Sequence, residues 1–432
     1  MGPEAQLWQA ATAILDDNWS GEHTVPSRVL YPHQWSWDSA FIGIGLARHD
    51  PARAWQDLRS LFAAQWPDGR VPHIVFDPGV AERDYFPGPA FWQVPASMGA
   101  GGGRATSGLV QPPVHAIAAW RMYEHTGALD ELRWLYPRLV AQQDYLARNR
   151  DVGRAGLVSI VHPWESGQDN SPAWDPALRA VAADTGELRR YRRRDTQVAA
   201  AHRPTDEDYA RYLLIAESYR DGGYADADLA QRHPFLVECP AFNAFNGAAE
   251  RALAQIAAAI GADPAPHRDR AARITLALLD RLYDPATGMC HGLDLRTGRR
   301  SPVRCVGGLL ALLLPDLPAA QVASMLAAAV SPGFGLTEPV ALPLPSYDRE
   351  AADFDPLRYW RGPIWININW LLWRALLTHG RPALAASLRA AMLDLIRRSG
   401  CYEYFHGLTG SGIGSPTFSW TAALALDLLA DA

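Results

Sequence analysis

Apolar residues recur at spacings of three and four along almost the whole chain, in packets separated by proline, glycine and asparagine. That spacing predicts helices over 4–17, 38–48, 51–64, 112–125, 130–148, 206–219, 241–260, 266–282, 305–314, 319–329, 363–378, 382–398 and 416–429. Several open at or just after a proline, which the first helical turn tolerates. Strand patterns are weak and short. A dozen or so helices in antiparallel succession predict an all-α fold, a closed ring of helix pairs. No linker composition or charge run divides the chain, so residues 1–432 read as one domain with insertions.

Polar and aromatic clusters fall between the helices. The densest is 162–175, HPWESGQDNSPAWD, with carboxylates Glu165, Asp169 and Asp175 beside Trp164 and Trp174. Gly167, Asn170 and Pro172 predict an irregular loop there. Tryptophan faces beside carboxylates suit a sugar, whose ring stacks on flat apolar surface while its hydroxyls seek acceptors. The same residues also suit a buried structural loop whose Asp and Asn side chains cap neighbouring helices. At 31–41, YPHQWSWDSAF runs into a helix, and Asp38 is either a site carboxylate or that helix's cap.

The proline-rich insertion 66–92, which holds Arg70, His73, Arg83, Asp84, Tyr85 and Phe86, is long enough for a lid or rim. The glycine run 99–103 has no lysine after it and no Rossmann spacing, so it reads as a hinge. The chain is unusually charged over 189–194, and the arginine cluster 192–194 reads as solvated surface. Arg203 and Tyr209 flank the start of a helix that Thr205 opens, and an arginine fork there suits a carboxylate. Later, RYWRGPIW (358–365) leads into another helix, and Glu403 lies among aromatics ahead of a glycine-rich loop ending at Trp420.

All 40 basic residues are arginine, which removes Schiff-base chemistry and a Walker phosphate loop. A net charge of -6 without a basic block argues against nucleic acid. No apolar run approaches membrane length, and the N-terminal residues read as an amphipathic helix rather than a signal peptide. The four cysteines are scattered, so the chain is expected reduced and cytoplasmic. His162-x-x-Glu165 is a poor metal site, and neither metal nor cofactor is expected. No G-x-S-x-G elbow is present. Carboxylates on two distant loops, each flanked by aromatics, fit hydrolysis of a glycosidic bond: one protonates the leaving oxygen, the other activates water or attacks directly.

The segments WSWDSAF (35–41), DGRVPHIV (68–75), QPPVHA (111–116), HPWESGQDNSPAWD (162–175), YWRGPIW (359–365) and 403–420 together resemble glycoside hydrolase family 63. The likeness is to its bacterial glucosylglycerate and mannosylglycerate hydrolase branch, and it spans nearly the whole chain. It implies an (α/α)6 barrel, a cap built from insertions at about 62–108 and 176–234, and an inverting mechanism. Asp169 would be the general acid and Glu403 the general base. Trp37, Asp38, Gln111, Trp164 and Trp174 would shape the sugar pocket. Tyr31, Tyr85, Arg203, Tyr209, Tyr359 and Trp360 would lie near the glycerate end, with Arg203 pairing its carboxylate; Trp365 is grouped with these substrate-binding positions. The implied substrate is a small acidic glycoside. The RPTDEDY and YFPGP segments lean towards glucosylglycerate. Alternatives are mannosylglycerate, a neutral α-glucoside, or sugar binding without catalysis on the same barrel.

Overall fold

The computed structural model describes residues 2–99, 103–182, 185–186 and 199–431. Most of the glycine run 99–103 and the arginine cluster 189–194 lie outside the described residues.

Six helical segments form an inner ring: Ser36–Leu46, His115–Thr126, Pro240–Ile260, Val306–Leu313, Ile366–Thr378 and Ser419–Ala430. Each packs against the next in chain order, and the last packs against the first, so the ring closes. Six more helices back it from outside: Pro3–Asp17, Pro51–Ala63, Leu129–Asn149, Ala265–Leu282, Ala319–Val330 and Pro382–Ser399. The fold is an (α/α)6 barrel. Burial explains the division. Every residue of Ser36–Leu46 is buried, whereas Pro51–Ala63 buries one stripe.

Closure depends on close backbone approach. A Cβ added to Gly45 would lie 1.7 Å from the carbonyl oxygen of Ala423, so the first and last inner helices touch where only glycine fits. At the same seam Asp427 is fully buried and accepts hydrogen bonds from Arg48 Nε (3.2 Å), Arg121 Nη2 (3.0 Å) and Trp370 Nε1 (3.0 Å). Burial opposes its charge, but a bond from His125 and the charges of Arg121 and Arg48 hold Asp427 down at about 2.

The expected helices are present, with instructive differences. Residues 306–313 wind as a 3-10 helix. Gly308 there presses on the Cys290 carbonyl, and Gly307-Gly308 lowers α propensity. The helices expected to open at Pro112, Pro363 and Pro416 begin instead at His115, Ile366 and Ser419. Pro113 disfavours the α region at Pro112, and Ile364 is held in β-bridges with Pro345 and Phe405. Gln111, Trp365 and Phe418, just ahead of these helices, line the site. The helix Asp206–Asp221 stands outside the ring. A second hydrophobic cluster, including Trp66, Phe91, Trp92, Leu213, Tyr219 and Tyr224, joins that helix to the 66–109 segment.

Candidate active site

The loops that lead into the inner helices converge on one cavity of about 180 Å³. That is below the roughly 300–1,000 Å³ common for ligand pockets, so it suits a small substrate. Of the residues expected at a site, all but Trp174 line it. Trp174 is buried behind the loop, where its indole N–H donates to the Gln168 carbonyl (2.7 Å) and holds the turn that carries Asp169. Asp38 is no cap. The helix starts at Ser36 with Trp35 as its N-cap, and Asp38 faces the cavity from the first turn.

Glu403 is buried and immobilised by donors. Its Oε1 accepts from the Tyr31 hydroxyl (2.8 Å) and the Tyr359 hydroxyl (3.3 Å), and its Oε2 from the Ser415 N–H (3.3 Å). A two-residue hairpin, Tyr404–Phe405 against Gly412–Ile413, fixes its backbone. Gly414, at φ 76°, passes so close that a Cβ would lie 2.4 Å from Glu403 Oε2; the turn needs glycine. Burial raises Glu403, while the Arg203 charge and the bonds from Tyr31, Ser415 and Tyr359 favour its ionised form.

Asp169 is raised too. Burial pushes its carboxyl up to about 7, and the neighbouring Glu403 charge adds to the rise against its own backbone N–H and Arg203. Tyr212, from the helix outside the ring, donates its hydroxyl to the Asp169 backbone carbonyl. His162, pushed down to about 3 by burial, is neutral and donates from Nε2 to the Tyr212 carbonyl (2.9 Å) while accepting the Trp164 N–H at Nδ1 (2.9 Å). Asp38 is a third buried carboxyl, raised by desolvation and, less strongly, by Glu403. Two carboxyls raised by burial, one to about 7 and the other held by three hydrogen-bond donors, are an arrangement for general acid–base chemistry.

Arg203 is the cation among them. Its Nη1 donates to the Tyr31 hydroxyl (3.1 Å), its guanidinium lies 4.9 Å from the centre of the Tyr359 ring, and its buried Nε has no partner among the described residues. Tyr85 and Tyr209 line the same cavity. The remaining wall is aromatic. Trp360 stacks on Trp365 at 4.1 Å, and Trp420 meets Trp37 edge-on at 5.3 Å. Gln111 lines the cavity and accepts the Trp37 N–H (3.1 Å).

Trp420, Tyr212 and His73 are among the lining residues not expected at the site. Trp420 stands at the start of its inner helix as Trp37 and Trp365 do, a repeated placement that could have marked it. Tyr212 lies three positions after Tyr209 on one helix face. His73 lines the cavity beneath Trp164, with the ring planes nearly parallel at 6.4 Å. Among the described residues no group of three or more metal-ligating side chains occurs. None of the described helices is long and apolar enough to cross a membrane.

Comparison with known proteins gives one family among the relatives of high identity. Residues 31–421 match the mannosylglycerate hydrolase MGH1-like glycoside hydrolase domain. The chain is 42% identical to a mannosylglycerate hydrolase of Rubrobacter radiotolerans over 99% of this chain and 98% of that one. It is 36% identical to a glucosylglycerate hydrolase of Mycolicibacterium hassiacum over 98% of each chain. It superposes at a TM-score of 0.88, with 42% identity, on a crystal structure of a family 63 mannosylglycerate hydrolase from Thermus thermophilus in complex with Tris and D-glycerate, covering 97% of this chain and 99% of that one. The chain belongs to this glycoside hydrolase family.

Proposed function

We propose that this member of the family hydrolyses 2-O-α-D-hexosyl-D-glycerates with inversion, using Asp169 as general acid and Glu403 as general base. The observation that carries the reading is the unequal pair: Asp169 raised to about 7, Glu403 held by three donors, and Arg203 beside both. Asp169 protonates the glycosidic oxygen as its bond to the anomeric carbon breaks. Glu403 takes a proton from the water that attacks that carbon from the opposite face. The products are a hexose of inverted configuration and glycerate. The Arg203 fork receives the glycerate carboxylate. Trp37, Trp365 and Trp420 wall the sugar ring, and Asp38 accepts from its hydroxyls.

The sugar is a finer choice, since glucose and mannose differ in one hydroxyl's orientation. The sequence segments lean to the glucosyl compound, but the two mannosylglycerate hydrolases share 42% identity with the chain and the glucosylglycerate hydrolase 36%. We therefore take mannosylglycerate as first substrate and glucosylglycerate as second, cut by the same two carboxylates. Four buried free cysteines suit the reducing cytoplasm.

The test is to incubate the purified protein with both hexosylglycerates and a neutral α-glucoside. Hexose should be released from the glycerate compounds, and Arg203→Ala should slow that release by about 10–150-fold, the worth of a charged hydrogen bond. Cleavage of the neutral glucoside at the same rate, indifferent to Arg203→Ala, would replace the reading with a neutral α-glucosidase. Tight binding without turnover would replace it with a sugar-binding barrel.

A further inference from the structure

Arg203 and Glu403 do not touch; one phenol stands between them. Arginine has only donors, so the direction of the chain is fixed. Arg203 Nη1 donates to the Tyr31 oxygen (3.1 Å), and Tyr31 donates its proton to Glu403 Oε1 (2.8 Å). The Tyr359 oxygen lies 3.3 Å from both, too far to draw the Tyr31 proton away from its shorter bond. The arrangement is held from both ends. The Tyr31 ring meets Trp35 and Phe418 edge-on (5.4 and 5.9 Å), and its N–H donates to the Ser27 carbonyl (2.9 Å). Ser27 Oγ accepts from Ser415 Oγ (2.8 Å), and the Ser415 N–H holds Glu403 Oε2.

A direct ion pair would hold Glu403 firmly ionised and leave it a weak base. A chain through a phenol passes on part of the cation's pull, because each bond polarises the next. The other titratable groups facing Glu403 are Asp38, Asp169, Tyr359 and Tyr404, none of them a cation. Arg203 is the one arginine lining the cavity among the described residues, so the positive charge felt by the base is the charge that an acidic substrate would neutralise.

We propose that the substrate's own carboxylate activates the base: by pairing with Arg203 it cancels the cation's pull along Tyr31, so that Glu403 takes a proton from water more readily while an acidic glycoside is bound. This role rests on the hydrolase reading above and gives the glycerate end a part in the chemical step. Nη1 is committed to Tyr31, so the carboxylate uses the other N–H groups of the fork and leaves the chain intact. Tyr31 is then a positioning residue that acts through Glu403.

Glu403 must be ionised to act, so the rate falls as pH drops through its pKa, and neutralising Arg203 raises that pKa in the complex. The profile of kcat/KM reports the free enzyme and that of kcat the complex. With a hexosylglycerate the acid limb should lie about one unit higher in kcat than in kcat/KM, the lower end of what a neighbouring opposite charge supplies. Tyr31→Phe should narrow that gap, whereas a phenol that merely holds the glycerate would change KM and leave the gap alone. A second measurement avoids turnover. D-glycerate titrated calorimetrically into Asp169→Asn, in buffers of different ionisation enthalpy, should take up protons, and fewer once Tyr31→Phe is added. Coincident acid limbs, a gap undiminished by Tyr31→Phe, or glycerate binding without proton uptake would each overturn the coupling and leave the hydrolase reading standing. No release of hexose from either hexosylglycerate would overturn both.

Discussion

Asp169 and Glu403 are both raised by burial, but different neighbours oppose the rise. Asp169→Asn and Glu403→Gln should each lower kcat by about 10²–10⁴-fold, the usual weight of a positioned acid or base, with circular dichroism unchanged. The pH profile follows from the shifts. In the proposed mechanism Asp169 must be protonated, so kcat should fall as pH rises through about 7. It needs Glu403 ionised, so the rate should also fall on the acid side. Because the Arg203 charge holds Glu403 down, Arg203→Ala should move that acid limb to higher pH as well as raise KM. An acid limb that stays in place would detach Arg203 from the base. Single residues were partly legible in the sequence. Glu403 stood out by its aromatic company and Asp169 only through the family resemblance, and donors such as Tyr31 and Ser415 come near Glu403 only on folding.

At the scale of elements, the 162–175 loop is held by a buried network. Arg150 bonds Glu165 through both terminal nitrogens (2.8 Å each), and Glu165 also accepts from the Val110 and Val161 N–H groups. Arg150 continues to Asp226 (3.1 Å), which accepts from Tyr145 (2.8 Å), Tyr219 (2.7 Å) and Arg70 (3.1 Å). The barrel helix Leu129–Asn149 and the outlying helix Asp206–Asp221 are thereby tied to the loop that carries Asp169. Removing one partner strands the other charge, so Arg150→Met should cost about 3–5 kcal/mol in urea-induced unfolding. A loss under about 1 kcal/mol would show that the network is dispensable. Here the sequence misled in one respect. Glu165 read as one of three clustered carboxylates, but its arginine is fifteen positions upstream at the end of a helix, and only the fold aims it inward. Asp175 likewise turns away to Arg361 (2.5 Å), anchoring one site loop to another.

Across the whole molecule, the helices of the ring were legible either from a one-sided apolar period or, where all faces are buried, from apolar packets too long for a strand. Closure was harder to read. It rests on contacts between the ends of the chain, Gly45 against Ala423 and Arg48 against Asp427, which leave no periodic trace. Gly45→Ala should therefore destabilise the protein by about 1–3 kcal/mol or more, the cost of overpacking against rigid backbone, and lower Tm accordingly. An unchanged Tm would mean the seam can open without consequence. Closing the ring brings the loops ahead of the inner helices together, and so sets Asp169 and Glu403 on one cavity. The central claim is that they act as an inverting pair on an α-linked hexosylglycerate, and proton NMR of the first turnovers tests it directly. The account predicts that the β-anomer of the free hexose accumulates before mutarotation; the α-anomer appearing first would contradict it.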